Sequence, residues 1–235
     1  MNTWEHDRVG RFTASEIWKL FVDPRSKADK EAGKFGEVAE TYILEKAVER
    51  YTGYRKKFFS KEMEHGVINE KDAFDSFVKC DCWESHKWPG KHKWEFTNKQ
   101  FFVIGDNAGA SPDGILYNGI DPLAVVDVKC PQPLTFFAVK KHYMETGECM
   151  DDKYIYQLQM QMMATGTKKS YLYYYLASEF GNTITGEIEH SFDLDDLYRT
   201  LYFEFNFDSV LVDQITERIN RAEIRCQELL KIIKS

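Results

Sequence analysis

Residues 111–129, SPDGILYNGIDPLAVVDVK, join a tight turn to an apolar strand that ends in charged side chains. A proline and a glycine flank Asp113, and both residue types favour turns. The run 123–129 is apolar enough for a central strand. Because successive strand side chains point to opposite faces, Asp127 and Lys129 share one face. The pattern predicts that Asp113 folds back beside them, so that two carboxylates and an ammonium group converge.

These three groups together suit the hydrolysis of a phosphodiester with a divalent metal ion. Carboxylate oxygens are ligands for Mg²⁺, and Lys129 is placed to orient the attacking water or to help deprotonate it. The spacing alone also fits a solvated turn followed by an ion pair at a strand end. Burial favours the functional interpretation, because charged side chains at the end of a buried strand need a partner or a metal ion.

The composition is that of a globular protein of moderate size. The chain has 235 residues, of which 43% are hydrophobic and 15% aromatic. It carries no Pro/Gly/Ser-rich linker and no repeat, so we expect a single α/β domain over residues 1–235. Without a membrane-length apolar run or a signal-peptide core, the expected location is cytoplasmic, with no membrane partner. The five cysteines have no secreted-framework spacing, so reduced thiols are expected.

The net charge of −7 argues at first sight against a nucleic-acid partner. Its distribution weakens that argument. Residues 1–61 hold 13 Lys+Arg against 10 Asp+Glu, a net +3, and the remainder holds 18 against 28, a net −10. Because phosphate contacts are local and charges are screened at cellular salt, an acidic enzyme can still bind DNA through a basic channel.

Hydrophobic periodicity predicts a mixed sheet flanked by helices. Helices are predicted over 16–21, 36–51, 61–78, from 134 onward, over 152–165 and, in one or two pieces, over 194–233. Strands are predicted over 100–104, 114–117, 124–129, 169–178 and 184–190. The last strand is expected to be the antiparallel neighbour of 169–178 or an edge strand. The polar, tryptophan-rich segment 80–99 is predicted to be a hairpin or an insertion.

Four separated blocks resemble, in order, the phage lambda exonuclease / YqaJ viral recombinase family of the PD-(D/E)xK nuclease superfamily. The resemblance covers most of the chain, and four blocks in the family's order are difficult to explain by coincidence. It implies a PD-(D/E)xK restriction-endonuclease-like core, an α/β fold of the mixed α+β kind. The blocks are Trp4-x3-Arg8-x-Gly10-x-Phe12-Thr13-Ala14-Ser15-Glu16 followed by Pro24-Arg25-Ser26-Lys27, then Gly66-x2-Asn69-Glu70-x2-Ala73, then Ser111-Pro112-Asp113-Gly114 with Asp127-Val128-Lys129-Cys130-Pro131, and finally Tyr154-x2-Gln157-x-Gln159, which leads to Met162-Met163-Ala164-Thr165-Gly166.

The resemblance also implies a set of metal ligands. Asp113 and Asp127 match the direct ligands, and the carbonyl of Val128 is a candidate third ligand. Glu70 matches the family's helical glutamate, which completes the site directly or through water. Glu37 is a rival for that position, because it too lies next to a glycine at a helix. The strand acid of the family is more often Glu, but the shorter arm of Asp still binds metal.

Further roles follow from the same resemblance. Lys129 matches the residue that positions or activates the nucleophilic water, and Gln157 matches a helical glutamine that hydrogen-bonds near it. The positions that hold a terminal 5′ phosphate are matched by Arg8, Ser15 and Ser111. An arginine is the natural bidentate partner of a phosphate, which supports this assignment independently. General contacts with the DNA backbone are expected from Arg25 and Lys27.

The implied function is a Mg²⁺-dependent exonuclease that degrades one strand of linear duplex DNA from its 5′ end. One or two ions are expected, with Mn²⁺ as an alternative metal. Release of mononucleotides would leave a 3′ single-stranded tail for recombination. The family also implies a single-strand annealing partner, a ring-shaped homotrimer and a phage or prophage origin. Two alternatives stay open, namely a structure- or end-specific endonuclease such as a RecB-like module, and a non-catalytic DNA-end-binding protein.

Overall fold

The computed structural model describes residues 3–56, 60–80, 82–84, 87–88, 90–182, 187–191 and 193–235. The helices are α1 (Thr3–Arg8), a 3₁₀ helix (Ala14–Phe21), α2 (Lys27–Glu31), α3 (Glu37–Thr52), α4 (Lys61–Lys79), α5 (Pro133–Thr146), α6 (Asp152–Thr165), α7 (Asp196–Arg199) and α8 (Ser209–Lys234). The strands are β1 (Phe12–Thr13), β2 (His92–Phe96), β3 (Phe102–Ile104), β4 (Ala108–Ala110), β5 (Gly114–Asn118), β6 (Asp121–Lys129), β7 (Lys169–Tyr175), β8 (Glu179–Asn182), β9 (Glu187–Ser191) and β10 (Thr200–Asn206).

The main sheet has five strands in the order β10-β7-β6-β5-β2. Strands β6 and β7 pair in parallel, with Asp127 opposite Leu172, and the other neighbours pair antiparallel. A parallel pair needs a crossover connection, which α5 and α6 provide here. The crossover therefore brings α6 back across the sheet beside the end of β6.

Helices cover both faces of the main sheet. On one face, Phe77 of α4 packs in a cluster with Val126 and Val128 of β6. On the other face, α5 and α6 pack against β7 around Leu172. Because side chains alternate along β6, Asp127 lies on the face that α6 covers.

A second, three-stranded sheet has the order β1-β4-β3, with β1 and β4 parallel. Its residues Phe12 and Ala108 pack in one core with Ile43 of α3, Met160 of α6 and Ile215 of α8. Helix α6 therefore contacts both sheets. This position lets its side chains reach the end of β6 and the small sheet at the same time.

Most elements confirm the sequence expectations, with three corrections. The predicted helix over 194–233 is wrong for residues 200–206, which form β10, the antiparallel neighbour of β7. The predicted strand over 184–190 is not that neighbour, because β9 pairs with β8 in a separate two-stranded sheet; residues 184–186 lie outside the described part of the chain. The expectation of five reduced thiols is wrong for Cys80 and Cys82, which form a disulfide.

Within the described part of the chain, every helix is too short or too polar to span a lipid bilayer.

Candidate active site

The turn before β5 carries Asp113 onto the end of β6. The Asp113 N–H donates to the carbonyl of Val126 at 3.0 Å. The N–H of Val128 in turn donates to Asp113 Oδ2 at 2.7 Å. These two hydrogen bonds hold the carboxylate beside the last residues of the strand, as the sequence predicts.

Asp127 is buried, with 2% of its surface exposed, and it has three side-chain partners. Lys129 forms an ion pair with Oδ2. Gln157 and Gln161 donate from Nε2 to Oδ1 at 2.6 Å and 2.8 Å. The two glutamines are four residues apart on α6, so they lie on one face of the helix. Together these partners fix the carboxylate in one orientation.

Lys129 lies at the boundary between the core and solvent, with 24% of its side chain exposed. Its Nζ also lies 5.0 Å from the ring centroid of Tyr154, which is cation–π distance. Burial alone would lower the pKa of Lys129, but the neighbouring Asp127, Tyr154 and Asp113 raise it above its usual range. The side chain is therefore an ammonium group with donors for a water or a phosphate oxygen.

Glu70 extends from α4 toward the same place, where its charge raises the pKa of Asp113. A glycine allows this approach, because a Cβ on Gly114 would lie 2.2 Å from Cε2 of Phe74, one turn after Glu70. Helix α4 can thus pack directly on the turn that carries Asp113. The rival acid, Glu37, lies exposed in the first turn of α3, so Glu70 is the helical acid that meets Asp113.

We call Asp113, Asp127, Glu70 and Lys129 the acidic centre. Burial raises the pKa of Asp113 well above its usual range, and the charges of Asp127 and Glu70 raise it further. Burial also raises the pKa of Glu70. A cation relieves such crowding of carboxylates.

The donor set of the acidic centre fits a divalent metal ion in its chemistry. Carboxylate oxygens are the ligands that Mg²⁺ prefers. With the side chains as they stand, no group of three or more His, Cys, Asp or Glu residues in the described ranges is already spaced to hold a metal. Instead, Lys129 and two glutamines engage Asp127, and the Val128 N–H engages Asp113.

A pocket adjoins the acidic centre and brings together residues that are far apart in sequence. We call it the anion pocket, and its lining includes Arg8, Thr13, Ser15, Phe101, Ser111 and Gln157. Arg8 Nη2 donates to the hydroxyl of Ser15 at 3.3 Å. Three side chains that the sequence predicts at a terminal phosphate thus line one pocket. Gln157 belongs to both sites, since it lines the pocket and donates to Asp127.

The charge around Arg8 favours an anion. Burial and, second to it, the charge of Arg55 lower the pKa of Arg8 to about 10, against the opposing charges of Glu16, Tyr42 and Glu49. Arg55 itself lies 3.1 Å from Glu16 and 3.7 Å from Glu49. A buried guanidinium group beside a second arginine is stabilised by a bound anion.

The same layer contains two more buried or half-buried cations. Lys19 pairs with Glu16 at 2.7 Å, and Lys46 pairs with Glu49 at 2.9 Å. Counting Arg8 and Arg55, the positive charges of this layer outnumber its two glutamates. The region beneath the anion pocket is therefore basic, although the chain as a whole is acidic.

The structure does not bring Arg25 and Lys27 to either site. Both side chains are exposed, at the turn before α2 and at its start. Lys27 lies 3.8 Å from Glu31 in a solvent-exposed i,i+4 pair, which is worth little energetically. If Arg25 and Lys27 contact the DNA backbone as predicted, they do so from a surface outside the anion pocket.

Two residues of the site receive no functional role from the sequence. Gln161 contacts Asp127, and its position four residues after Gln157 was the signal that could have identified it. Phe101 lines the anion pocket from the loop position just before β3; the sequence predicts a strand there but no functional role. By contrast, Gln159 of the fourth block has a structural role, since it bonds the carbonyl of Asn206 and the N–H of Asp208 before α8.

Comparisons with known proteins identify the family and the fold. The sequence profile of the YqaJ-like viral recombinase domain matches residues 3–168. The fold is similar to that of an alkaline exonuclease, LHK-Exo, from Laribacter hongkongensis, with a TM-score of 0.71 at 18% identity over 100% of this chain and 96% of that one. It is also similar to a phage related exonuclease from Haemophilus somnus 129PT, with a TM-score of 0.65 at 18% identity over 95% and 96%. No curated protein sequence matches the chain. The predicted fold class, a mixed α/β core of the PD-(D/E)xK type, is confirmed.

Proposed function

The chain belongs to the YqaJ-like viral recombinase family, and on this premise we propose that it is a Mg²⁺-dependent exonuclease that degrades duplex DNA from 5′-phosphorylated ends. A DNA nuclease is the enzyme class that the family and the exonuclease fold support. The finer proposal depends on one observation. The anion pocket adjoins the acidic centre, and Gln157 contributes to both.

The acidic centre supplies the groups for hydrolysis. Asp113, Asp127 and the carbonyl of Val128 would hold the metal ion, with Glu70 completing the site directly or through water. Bound there, one or two Mg²⁺ or Mn²⁺ ions would polarise the scissile phosphate and lower the pKa of water. The protein's own contribution is to position the metal ligands. Gln157 and Gln161 both donate to Asp127 and hold its carboxylate in one orientation.

The reaction is the addition of water to one phosphodiester bond. A bond forms between the water oxygen and phosphorus, the bond between phosphorus and the 3′ oxygen breaks, and the 3′ oxygen receives a proton. The products are a 5′-mononucleotide and a strand with a new 5′ phosphate. Lys129 donates a hydrogen bond to the attacking water or to a phosphate oxygen, where negative charge increases in the transition state.

The anion pocket sets the polarity of digestion. Arg8, Ser15 and Ser111 would bind the terminal 5′ phosphate through charge-assisted hydrogen bonds. Each cleavage creates a new 5′ phosphate, which can enter the same pocket in the next cycle. The complementary strand is then left as a 3′ single-stranded tail, the substrate of a recombination reaction.

The family resemblance supports three further elements of the proposal. A single-strand annealing protein would receive the 3′ tail, three copies of the chain would form a ring around DNA, and the protein would act in the cytoplasm of a bacterial host of the phage or prophage. Closed cyclic symmetry permits such a ring. Light scattering of the purified protein tests the trimer directly.

Digestion of end-labelled duplexes tests the proposal. Linear DNA with 5′-phosphate ends, linear DNA with 5′-hydroxyl ends and closed circles are each incubated with Mg²⁺ or with EDTA. We expect rapid release of mononucleotides from the phosphorylated ends with Mg²⁺ only. Equal cutting of circles would favour an endonuclease, and binding without release of nucleotides would favour a non-catalytic end-binding protein. Either outcome would contradict the proposal.

A further inference from the structure

The loop between β2 and β3 contains a tight turn with two left-handed residues. Residues Thr97–Gln100 close on a hydrogen bond from the Gln100 N–H to the Thr97 carbonyl at 3.0 Å. The central residues, Asn98 and Lys99, have φ angles of +46° and +65°. Two consecutive residues with positive φ are typical of a type I′ turn.

The second left-handed residue of this turn is a lysine. In a type I′ turn that position strongly favours glycine, because a Cβ in the left-handed region crowds the backbone. At the first left-handed position Asn98 is tolerated, since Asn is enriched at positive φ. At the second, a long side chain such as that of Lys99 is unusual. Backbone strain of this kind persists where the surrounding structure enforces it, and it clusters at functional sites.

The surrounding structure does fasten this turn to the acidic centre. The Thr97 N–H donates to the carbonyl of Asp113 at 3.0 Å. The Thr97 hydroxyl donates to the carbonyl of Pro112. The strained turn is therefore held against the same turn that carries the Asp113 carboxylate onto β6.

The charge of Lys99 acts on the acidic centre. Lys99 is half-buried. Burial raises the pKa of Glu70, and Lys99 is the first of the neighbouring charges that oppose this, ahead of Lys129. Two residues later in the chain, Phe101 lines the anion pocket. Residues 97–101 thus run between the two places that the proposed function assigns to the DNA strand.

We propose that Lys99 is a DNA-binding residue of the active site, which contacts a phosphate of the strand being cut and is held in position by the strained turn. This inference rests on the proposed function. Three carboxylates repel an incoming phosphate, and Lys129 already forms an ion pair with Asp127. A second ammonium group at Glu70 compensates this repulsion.

Three variants test the inference. Lys99→Gly removes the charge and relaxes the backbone, Lys99→Arg keeps the charge, and Asn98→Gly relaxes the neighbouring residue with Lys99 intact. The readouts are the melting temperature, the rate of cleavage of a 5′-phosphorylated duplex with Mg²⁺, and the salt dependence of binding to that duplex in EDTA. The slope of log K against log [salt] reports the number of phosphate contacts.

For Lys99→Gly we expect an unchanged or higher melting temperature, a cleavage rate about tenfold lower, and a salt slope smaller by about one. For Asn98→Gly we expect the wild-type rate and slope, and for Lys99→Arg the wild-type slope. A Lys99→Gly protein with the wild-type salt slope would overturn the inference, whatever its rate. Failure of the wild-type protein to cleave DNA would instead overturn the proposed function, and the salt slope distinguishes the two failures.

Discussion

The acidic centre and the anion pocket share Gln157 but have opposite charge. In the acidic centre, three carboxylates surround one lysine, and burial and mutual repulsion raise the pKa of Asp113. In the anion pocket, burial and the charge of Arg55 lower the pKa of Arg8. One region is stabilised by a cation and the other by an anion. In the proposed function, a DNA end with its metal ion would supply both.

The difference separates chemistry from the choice of substrate. In the proposed function, the acidic centre would act on the phosphodiester bond, and the anion pocket would recognise the end of the strand. A substitution in the acidic centre should therefore change the cleavage rate, whereas a substitution in the anion pocket should change the preference for 5′-phosphorylated ends. The variants below use this separation.

The largest effect is expected at the acidic centre. Asp127→Asn should lower the cleavage rate by at least about 10³-fold, because it removes a charged group of the proposed metal site and the ion-pair partner of Lys129. Binding of phosphorylated ends, measured by fluorescence anisotropy in EDTA, should persist. Asp121→Asn is the matched control, since Asp121 is exposed at the start of the same strand. Equal loss of activity in both variants would contradict the assignment.

The next effect concerns the anion pocket. Arg8→Gln should lower cleavage of 5′-phosphorylated ends by about 10- to 100-fold, because charge-assisted hydrogen bonds are lost. Cleavage of 5′-hydroxyl ends should change little. Arg225→Gln, which breaks surface ion pairs with Glu40 and Glu228, is the control. If Arg8→Gln slows both kinds of ends equally, Arg8 does not read the terminal phosphate.

A smaller effect is expected for the glutamines of α6. Gln161→Met should lower the cleavage rate by about tenfold, because Asp127 loses one of the two glutamine donors that orient it. Gln159→Met, on the same helix, should lower the melting temperature with little change in rate, since Gln159 bonds the backbone before α8. Paired measurements of rate and melting temperature check this contrast. The same profile in both variants would argue against an orienting role of Gln161.

The sequence predicted the acidic centre better than the anion pocket, for a physical reason. Asp113, Asp127 and Lys129 lie within one turn and one strand, so local geometry fixes their convergence. The anion pocket joins Arg8 to Ser111 across the small sheet, whose strands β1 and β4 are too short to give a periodic pattern.

The errors in the fold have similar causes. Strand β10 was interpreted as part of a helix, although Leu201, Phe203 and Phe205 alternate as in a strand. The sequence offers the segment 184–190 as a candidate for the antiparallel neighbour of β7, a position that β10 occupies. The position of Lys99 also could not be predicted, because its turn is placed by hydrogen bonds from Thr97 to the carbonyls of residues 112–113, which are distant in sequence.

Thermal unfolding with and without Mg²⁺ tests most directly the claim that the acidic centre is a cation site. At 100 times its dissociation constant, the ion should stabilise the wild-type protein by about 2.7 kcal/mol, which is roughly 5–10 °C in melting temperature for a chain of this size. Asp113→Asn should be at least as stable without Mg²⁺, since it removes a crowded buried carboxylate, and should gain almost nothing from Mg²⁺. A wild-type melting temperature that Mg²⁺ leaves unchanged, or an equal gain in Asp113→Asn, would contradict the claim.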